Sequence, residues 1–136
     1  MTISEIVKID NRGRIVIPGS ARKLLKLNPG TNLLMHVDET RNSITLTPFL
    51  GKDTKPIKIN ILMKDQSGAL ARVATAISDL GINLLLGEAH IVSKGLQAEW
   101  TIVADLNSAD SEISIEDIER KIKESGGALK VDFKNF

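Results

Sequence analysis

The chain has 136 residues, enough for one ordinary domain or two small ones, and its 42% hydrophobic content suffices for a packed core. Disorder is not expected, since 26% charged residues is typical of a soluble globular protein. No apolar run approaches the roughly 18 residues of a membrane helix, and the absence of cysteine excludes disulfides, thiolate zinc sites and a cysteine nucleophile. We therefore expect a cytoplasmic protein that does not associate with membranes.

The formal net charge of +1 is distributed unequally along the chain. Residues 1–30 carry six basic and two acidic side chains, a net charge of +4, whereas residues 51–136 carry eleven basic and thirteen acidic ones, a net charge of −2. A basic segment beside a mildly acidic remainder predicts one part that binds a polyanion and a second part with another role.

The first fifty residues predict two strands, a short helix and two further strands. Alternation over residues 3–9 is typical of a strand, residues 10–13 supply a turn, and a strand resumes over residues 14–17. Pro18 suits the first turn of a helix that the Asn-Pro-Gly sequence at 28–30 ends. A ββαββ unit of this size buries too little apolar surface to be stable alone, so we predict that it dimerises.

Residues 51–56 predict a linker, because they lack periodicity and carry Gly, Pro and charges. The predicted domains are therefore residues 1–50 and residues 57–136. In the second domain the strand and helix periodicities follow the order βαββαβ, with hairpin strands over residues 83–92 and 97–105. This order predicts an α+β ferredoxin-like fold.

In a ferredoxin-like fold both helices cover one face of the sheet, so the other face should be polar in a monomer. Here alternation places several apolar side chains on that open face. An exposed apolar strip indicates subunit contact, so we predict that this domain also pairs with a copy of itself. The residues concerned are Leu62, Leu84, Leu86, Val92 and Val103.

The densest motif is VKIDNRGRIVIP at residues 7–18, followed by ARKLLKL at residues 21–27. Over roughly residues 3–48 the chain resembles the AbrB-like looped-hinge family of prokaryotic transcription factors and antitoxins. The resemblance implies an all-β-type swapped-hairpin barrel made by an intertwined dimer. It also implies DNA contacts from basic residues of the first strand, the loop and the short helix, which at the matching positions are Lys8, Arg12, Arg14, Arg22 and Lys23.

These residue types suit double-stranded DNA. Lys and Arg neutralise phosphates and supply most non-specific affinity, and Arg can also read guanine through paired donors. A dimer presents each basic residue twice, which favours a palindromic or repeated site. The alternative is that these residues only keep a small β domain in solution.

A second motif is the turn DQSGAL at residues 65–70, which opens a helix, with GIN at residues 81–83 opening the next strand. On the βαββαβ frame it resembles the ACT family of regulatory domains, over about residues 56–134. The resemblance implies an amino acid bound at a dimer interface, and helix N-terminal amides and a glycine suit a carboxylate that approaches the main chain. The alternative is an ordinary turn in a domain used for oligomerisation. The ligand candidates are Asp65, Gln66, Ser67, Gly68, Ala69, Leu70 and Asn83.

Together these features predict a DNA-binding transcriptional regulator modulated by an amino acid, acting as a homodimer or as a dimer of dimers through the ACT sheets. The alternatives are an orphan ACT regulatory subunit of an amino-acid metabolic enzyme and an antitoxin-like partner-binding protein. No enzyme activity is expected, because no nucleophile–base pair, paired catalytic carboxylates or phosphate-binding glycine motif is evident. No cofactor or metal is predicted either, since His36 and His90 have no matching ligand cluster.

Overall fold

A computed structural model describes residues 1–48, 54–108 and 112–136. The chain divides into two compact units, Met1–Gly51 and Lys52–Phe136. Of the predicted linker, residues 51–53 lie outside the described residues, and Pro56 already begins the first strand of the second unit. No helix within the described ranges has the length and apolar character needed to cross a membrane.

The N-terminal unit contains one short helix followed by one hairpin, which is the order predicted for the residues after Pro18. Helix α1 is Gly19–Leu24, and strands β1, Leu33–Asp38, and β2, Ser43–Pro48, pair antiparallel. Pro18 precedes α1 with φ −56°, a value that favours helix initiation. Asn42 closes the hairpin turn in the left-handed region, which Asn tolerates better than most residues.

The predicted strands over residues 3–9 and 14–17 are not formed in the single chain, although the turn between them is. The Gly13 N–H donates to the Asp10 carbonyl at 3.1 Å, and the Asp10 N–H donates to the Arg14 carbonyl at 2.9 Å. A strand persists only where a neighbouring strand satisfies its N–H and C=O groups. Within the described part of one copy, residues 3–9 and 14–17 have no strand beside them that forms a hydrogen-bond ladder. The swapped-hairpin barrel, which requires a second copy, stays a prediction.

The described part of the N-terminal unit has almost no core. Leu34 is its one buried hydrophobic residue, whereas Ile6 is fully exposed and Val16 is 75% exposed. Burying so little apolar surface cannot offset the entropy of ordering some fifty residues. The other exposed large apolar side chains in this unit are Met1, Ile3, Val7, Ile9, Ile15, Leu24, Leu25, Met35, Val37, Ile44 and Leu46.

The C-terminal unit confirms the predicted βαββαβ order. Its elements form one four-stranded sheet in the order β4-β5-β3-β6, antiparallel throughout, with β4 and β6 at the edges. A short 3-10 helix, Leu106–Ser108, follows β5. The elements are β3 Pro56–Lys64, α2 Ala69–Asp79, β4 Asn83–Ser93, β5 Gln97–Asp105, α3 Ile115–Glu124 and β6 Lys130–Asn135.

The core of this unit lies between the sheet and its two helices. Alternate side chains of β3 are buried, and they pack in one cluster with the apolar faces of α2 and α3. Ser114 caps α3 by accepting the Asp117 N–H at 3.1 Å, as its position predicts. Trp100, the single tryptophan, is partly buried against this cluster. The central residues are Ile57, Ile59, Ile61, Met63, Val73, Ile77, Ile102, Ile118 and Ile122.

One prediction for the open face of the sheet is wrong. A register shift between Leu84 and Leu86 places Leu84 directly opposite Ala104, whose side chain belongs to the buried core. A bulge adds one residue to a strand and so reverses the face of every side chain before it. Val92 lies within a second irregularity, between Ile91 and Ser93. Alternation of residue types does not reveal either shift.

Candidate functional sites

The loop between the two N-terminal segments presents two of the five predicted DNA-binding residues, Arg12 and Arg14. Asp10 organises it: its Oδ1 accepts the backbone N–H groups of Arg12 at 2.9 Å and Arg14 at 2.8 Å. Its Oδ2 accepts Arg14 Nε at 2.7 Å. Gly13 has φ +74°, a conformation that L side chains rarely adopt. The loop is therefore fixed from within, and both arginines remain exposed.

The backbone N–H of Arg14 and then its side chain hold the pKa of the Asp10 carboxyl below its ordinary value of 3.8. Hydrogen bonds to the charged form favour ionisation. Asp10 is thus an anion at neutral pH, and it partly neutralises one of the two arginines of the loop.

The other three candidates are Lys8, which lies in the segment before the loop, and Arg22 and Lys23, which lie on α1. Arg22 Nη1 donates to the Ile17 carbonyl at 2.6 Å, so Arg22 also ties the helix to the chain before it. Lys8 and Lys23 are exposed. All five cations are therefore accessible to a polyanion, while Arg14 and Arg22 each use part of their donor set within the unit.

An apolar cavity of about 340 Å³ lies between residues 1–7 and the chain around α1. A hydrogen bond from Ser20 Oγ to a Glu5 carboxylate oxygen joins the same two segments. A cavity with this lining is a place where further apolar side chains would be buried. Its lining is mainly Met1, Ile3, Val7, Pro18, Ala21, Leu24 and Leu25.

In the C-terminal unit the predicted ligand loop, residues 65–70, is a tight turn leading into α2. The Ala69 N–H donates to the Gln66 carbonyl at 3.2 Å, and Gly68 precedes the helix with φ +81°. Asp65 has a structural contact, because its Oδ2 accepts the Gly95 N–H at 2.6 Å from the turn between β4 and β5. Ser67 and Leu70 are exposed.

A cavity of about 210 Å³ adjoins this loop, between the start of α2 and strands β4 and β5. Four predicted ligand residues line it, namely Asp65, Gln66, Ala69 and Leu70. Its size suits a small organic molecule, and its mixture of aliphatic and polar walls suits an amphiphilic one. The remaining lining residues, which the sequence did not indicate, are Met63, Lys64, Ala89, His90, Ile91, Ala98 and Glu99.

Five of these seven additional lining residues lie on β4 and β5, and the other two, Met63 and Lys64, end β3. Ala89 lies opposite Trp100, His90 opposite Glu99, and Ile91 opposite Ala98. His90 Nε2 lies 3.6 Å from Glu99 Oε2. Hairpin pairing was predicted, but the register that brings these side chains beside the loop depends on the bulges in β4.

Asn83, the seventh predicted ligand residue, is not brought to this cavity within one copy. It starts β4 opposite Asp105, which in turn pairs with Pro56 at the far end of β3 from Asp65. A strand of this length spans ~26 Å at about 3.3 Å per residue. Asn83 and the loop therefore lie at opposite ends of the same sheet.

A family model described as the ACT domain matches residues 57–124. Similar solved structures include an ACT domain protein from Streptococcus pneumoniae, with 20% identity and a TM-score of 0.47 over 60% of this chain and 90% of that one. The C-terminal domain of the MgtC protein from Mycobacterium tuberculosis gives 11% identity and a TM-score of 0.47 over 65% and 94%. A candidate glycine cleavage system transcriptional repressor has 12% sequence identity and a TM-score of 0.48, over 96% of this chain and 94% of that one. No curated protein matches the chain.

Proposed function

This chain belongs to the ACT domain family through residues 57–124, and we propose that it is a homodimeric DNA-binding transcriptional regulator whose second unit senses an amino acid. The observation that carries the proposal is the state of the N-terminal unit. Its basic side chains are exposed among the described residues, and so are most of its large apolar ones. The first property suits a polyanion, and the second requires a second protein surface.

A second copy of the same chain is the partner that we propose for the apolar surface. Residues 3–9 and 14–17 have strand-forming sequences but no ladder in one copy. Exchange of these segments between two copies would satisfy their backbone groups and bury side chains such as Val16 and Ile44. Symmetry would also present two copies of each basic residue to DNA.

Electrostatics favours DNA as the ligand of that unit. Lys8, Arg12 and Lys23 are exposed, and Arg12 and Arg14 lie on one preformed loop. Preformed cations lose little freedom on binding, and each phosphate that they neutralise releases counterions. Affinity should therefore fall steeply as salt concentration rises.

The test is binding of the full chain to labelled duplexes from a randomised pool, measured by fluorescence anisotropy at several salt concentrations. Arg14→Ala and Lys23→Ala should each weaken binding about tenfold and flatten the salt dependence by about one phosphate contact per subunit. Lys134→Ala is the matched control, because Lys134 is an exposed lysine of the C-terminal unit.

Equal binding by wild type, Arg14→Ala and Lys23→Ala would overturn the DNA assignment. So would the absence of salt-dependent binding by the wild type. Capture of an amino-acid metabolic enzyme by a chain that does not bind DNA would instead identify a regulatory subunit.

In the C-terminal unit we propose that an amino acid binds in the cavity beside residues 65–70. Strand β4 lies at the edge of the sheet, with Ile91 58% and Val92 52% exposed. Such an edge readily pairs with another strand. Antiparallel pairing of β4 between two copies would place Asn83 of the partner subunit at the end of the sheet where Ser93 and Asp65 lie, which would complete the predicted ligand set.

Regulation would follow if the ligand favours one arrangement of the dimer over another, because a ligand shifts an equilibrium only through its different affinities for two states. A thermal-shift screen of the full chain against the twenty amino acids tests this half. We expect one or a few related amino acids to stabilise the protein and to change its affinity for DNA. Stabilisation by none would leave the C-terminal unit with a role in oligomerisation alone.

A further inference from the structure

Asp10 makes more contacts than a turn residue needs. Five hydrogen bonds join it to the residues of its own loop, two through its backbone and three through its carboxylate. Every donor or acceptor on the other side belongs to Arg12, Gly13 or Arg14.

The two carboxylate oxygens do different things. Oδ1 accepts two backbone N–H groups, a contact that shapes the turn and that an Asn side chain can also make. Oδ2 accepts Arg14 Nε at 2.7 Å, which has no part in the backbone geometry. The loop would close without the second contact.

The second contact restrains the Arg14 side chain without hiding it. The Arg14 side chain is 68% exposed and that of Asp10 is 37% exposed. Because Nε is the donor to Asp10, the terminal nitrogens of the guanidinium remain as the groups that can reach an external acceptor. Asp10 thus fixes the direction of Arg14 and partly cancels its charge.

We propose that Asp10 is a positioning residue for DNA recognition that raises selectivity for a preferred sequence by holding Arg14. The inference rests on the proposed DNA-binding function. A tethered arginine loses less side-chain freedom when it meets a base edge or phosphate in one geometry. The neighbouring carboxylate repels phosphates in all geometries, so it lowers affinity for every sequence alike.

Asp10→Asn separates the two contacts of the carboxylate, because it keeps the Oδ1 acceptor and removes the ion pair. Affinity for unrelated duplex should rise, while affinity for the preferred duplex should rise less or fall. The ratio of the two affinities should drop about threefold per subunit and about tenfold for a dimer, the range expected for an exposed ion pair. Asp117→Asn is the matched control, since Asp117 also pairs with an arginine, Arg120, and the substitution changes the charge equally.

A double-mutant cycle shows whether Asp10 acts through Arg14. In an Arg14→Ala background, Asp10→Asn should leave the affinity ratio unchanged, because no guanidinium remains to be positioned. In the wild-type background the Arg14 Nε–H should lose its protection from exchange on Asp10→Asn, while the backbone amide protons of Arg12 and Arg14 keep theirs.

The outcomes distinguish this inference from the function on which it rests. If wild type binds duplex and Arg14→Ala weakens it, DNA binding stands. An unchanged affinity ratio in Asp10→Asn would then overturn the positioning role alone, as would an equal change in both Arg14 backgrounds. If wild type binds no duplex, the proposed function itself fails.

Discussion

The Asp65 carboxylate accepts the backbone N–H of Gly95 at 2.6 Å, and the Asp65 N–H donates to the Leu96 carbonyl at 3.1 Å. These contacts join the end of β3 to the turn between β4 and β5. The loop that carries the predicted ligand residues is therefore tied to the hairpin whose strands line the other side of the cavity.

Asp65→Ala should lower the free energy of unfolding by about 1–2 kcal/mol, because a charged acceptor is lost and the Gly95 N–H loses its protein partner. Urea unfolding at fixed protein concentration, followed by the fluorescence of the single tryptophan, Trp100, measures it. Asp132→Ala is the control, since Asp132 is 61% exposed and makes a surface pair with Lys130. Equal losses in the two variants would contradict a structural role for Asp65.

The amides of residues 3–9 and 14–17 should be protected from hydrogen exchange in solution, although one copy gives them no strand ladder. Val16→Asp should abolish that protection, because a charge would enter the surface buried between two copies. Leu96→Asp is a control of similar exposure in the other unit, at 68% against 75% for Val16.

Protection in the wild type should also decrease on dilution, because the partner is a second molecule. Rapid exchange of these amides at every protein concentration would rule out hairpin exchange between copies. A fall in protection with Leu96→Asp would show that the effect is not specific to the N-terminal surface.

Periodicity predicted the C-terminal fold well because one face of its sheet is buried. The alternation of Ile57, Ile59, Ile61 and Met63 reflects that burial directly, and each of them is buried. Leu84 was assigned to the wrong face because a bulge adds a residue without changing the pattern of residue types. Sequence alternation fixes a face only where the ladder is regular.

Alternation of residue types could not predict the contacts of the Asp10 and Asp65 carboxylates. The sequence predicts a turn at Asp10 and a ligand contact at Asp65, yet each carboxylate has a partner within its own unit. Gly95 is thirty residues from Asp65 along the chain, so local sequence cannot indicate that contact. The strands predicted before Pro18 have no partner strand in the described part of one chain, and alternation alone does not say which strand would pair with them.

The pKa of Asp10 should lie below 3.8, because the Arg14 backbone N–H and side chain both donate to its carboxylate. A group whose pKa is lowered by folding contributes stability that is present above the unfolded pKa and is lost as the pH falls through the folded pKa. The Arg14 contact should therefore persist at neutral pH and break only in strong acid. An NMR titration of the Asp10 carboxyl carbon measures the midpoint.

Arg14→Gln should raise that midpoint part of the way toward 3.8, since the backbone N–H of residue 14 still donates. Arg12→Gln should change it less, because Arg12 contributes through its backbone N–H. A midpoint at or above 3.8 in the wild type would contradict the described loop geometry.

Ala89→Val should prevent amino-acid binding while leaving the fold intact. Ala89 lies on the edge strand β4 and lines the cavity of about 210 Å³ together with Ala69 and Ala98, and these small side chains leave the space open. Valine adds two methyl groups and suits a strand, so the cavity shrinks without a loss of strand propensity. The thermal shift produced by the stabilising amino acid should fall to that of the solvent control, and the far-UV circular dichroism of the unliganded protein should change little.

Ala71→Val is the matched control, since Ala71 is exposed on α2 and does not line the cavity. It should keep the full ligand-induced shift, apart from the small helix penalty of a β-branched residue. If Ala89→Val retains the shift as well, the amino acid does not occupy this cavity. If both variants lose it, the ligand requires an intact α2 surface, and the assignment of the cavity beside residues 65–70 fails.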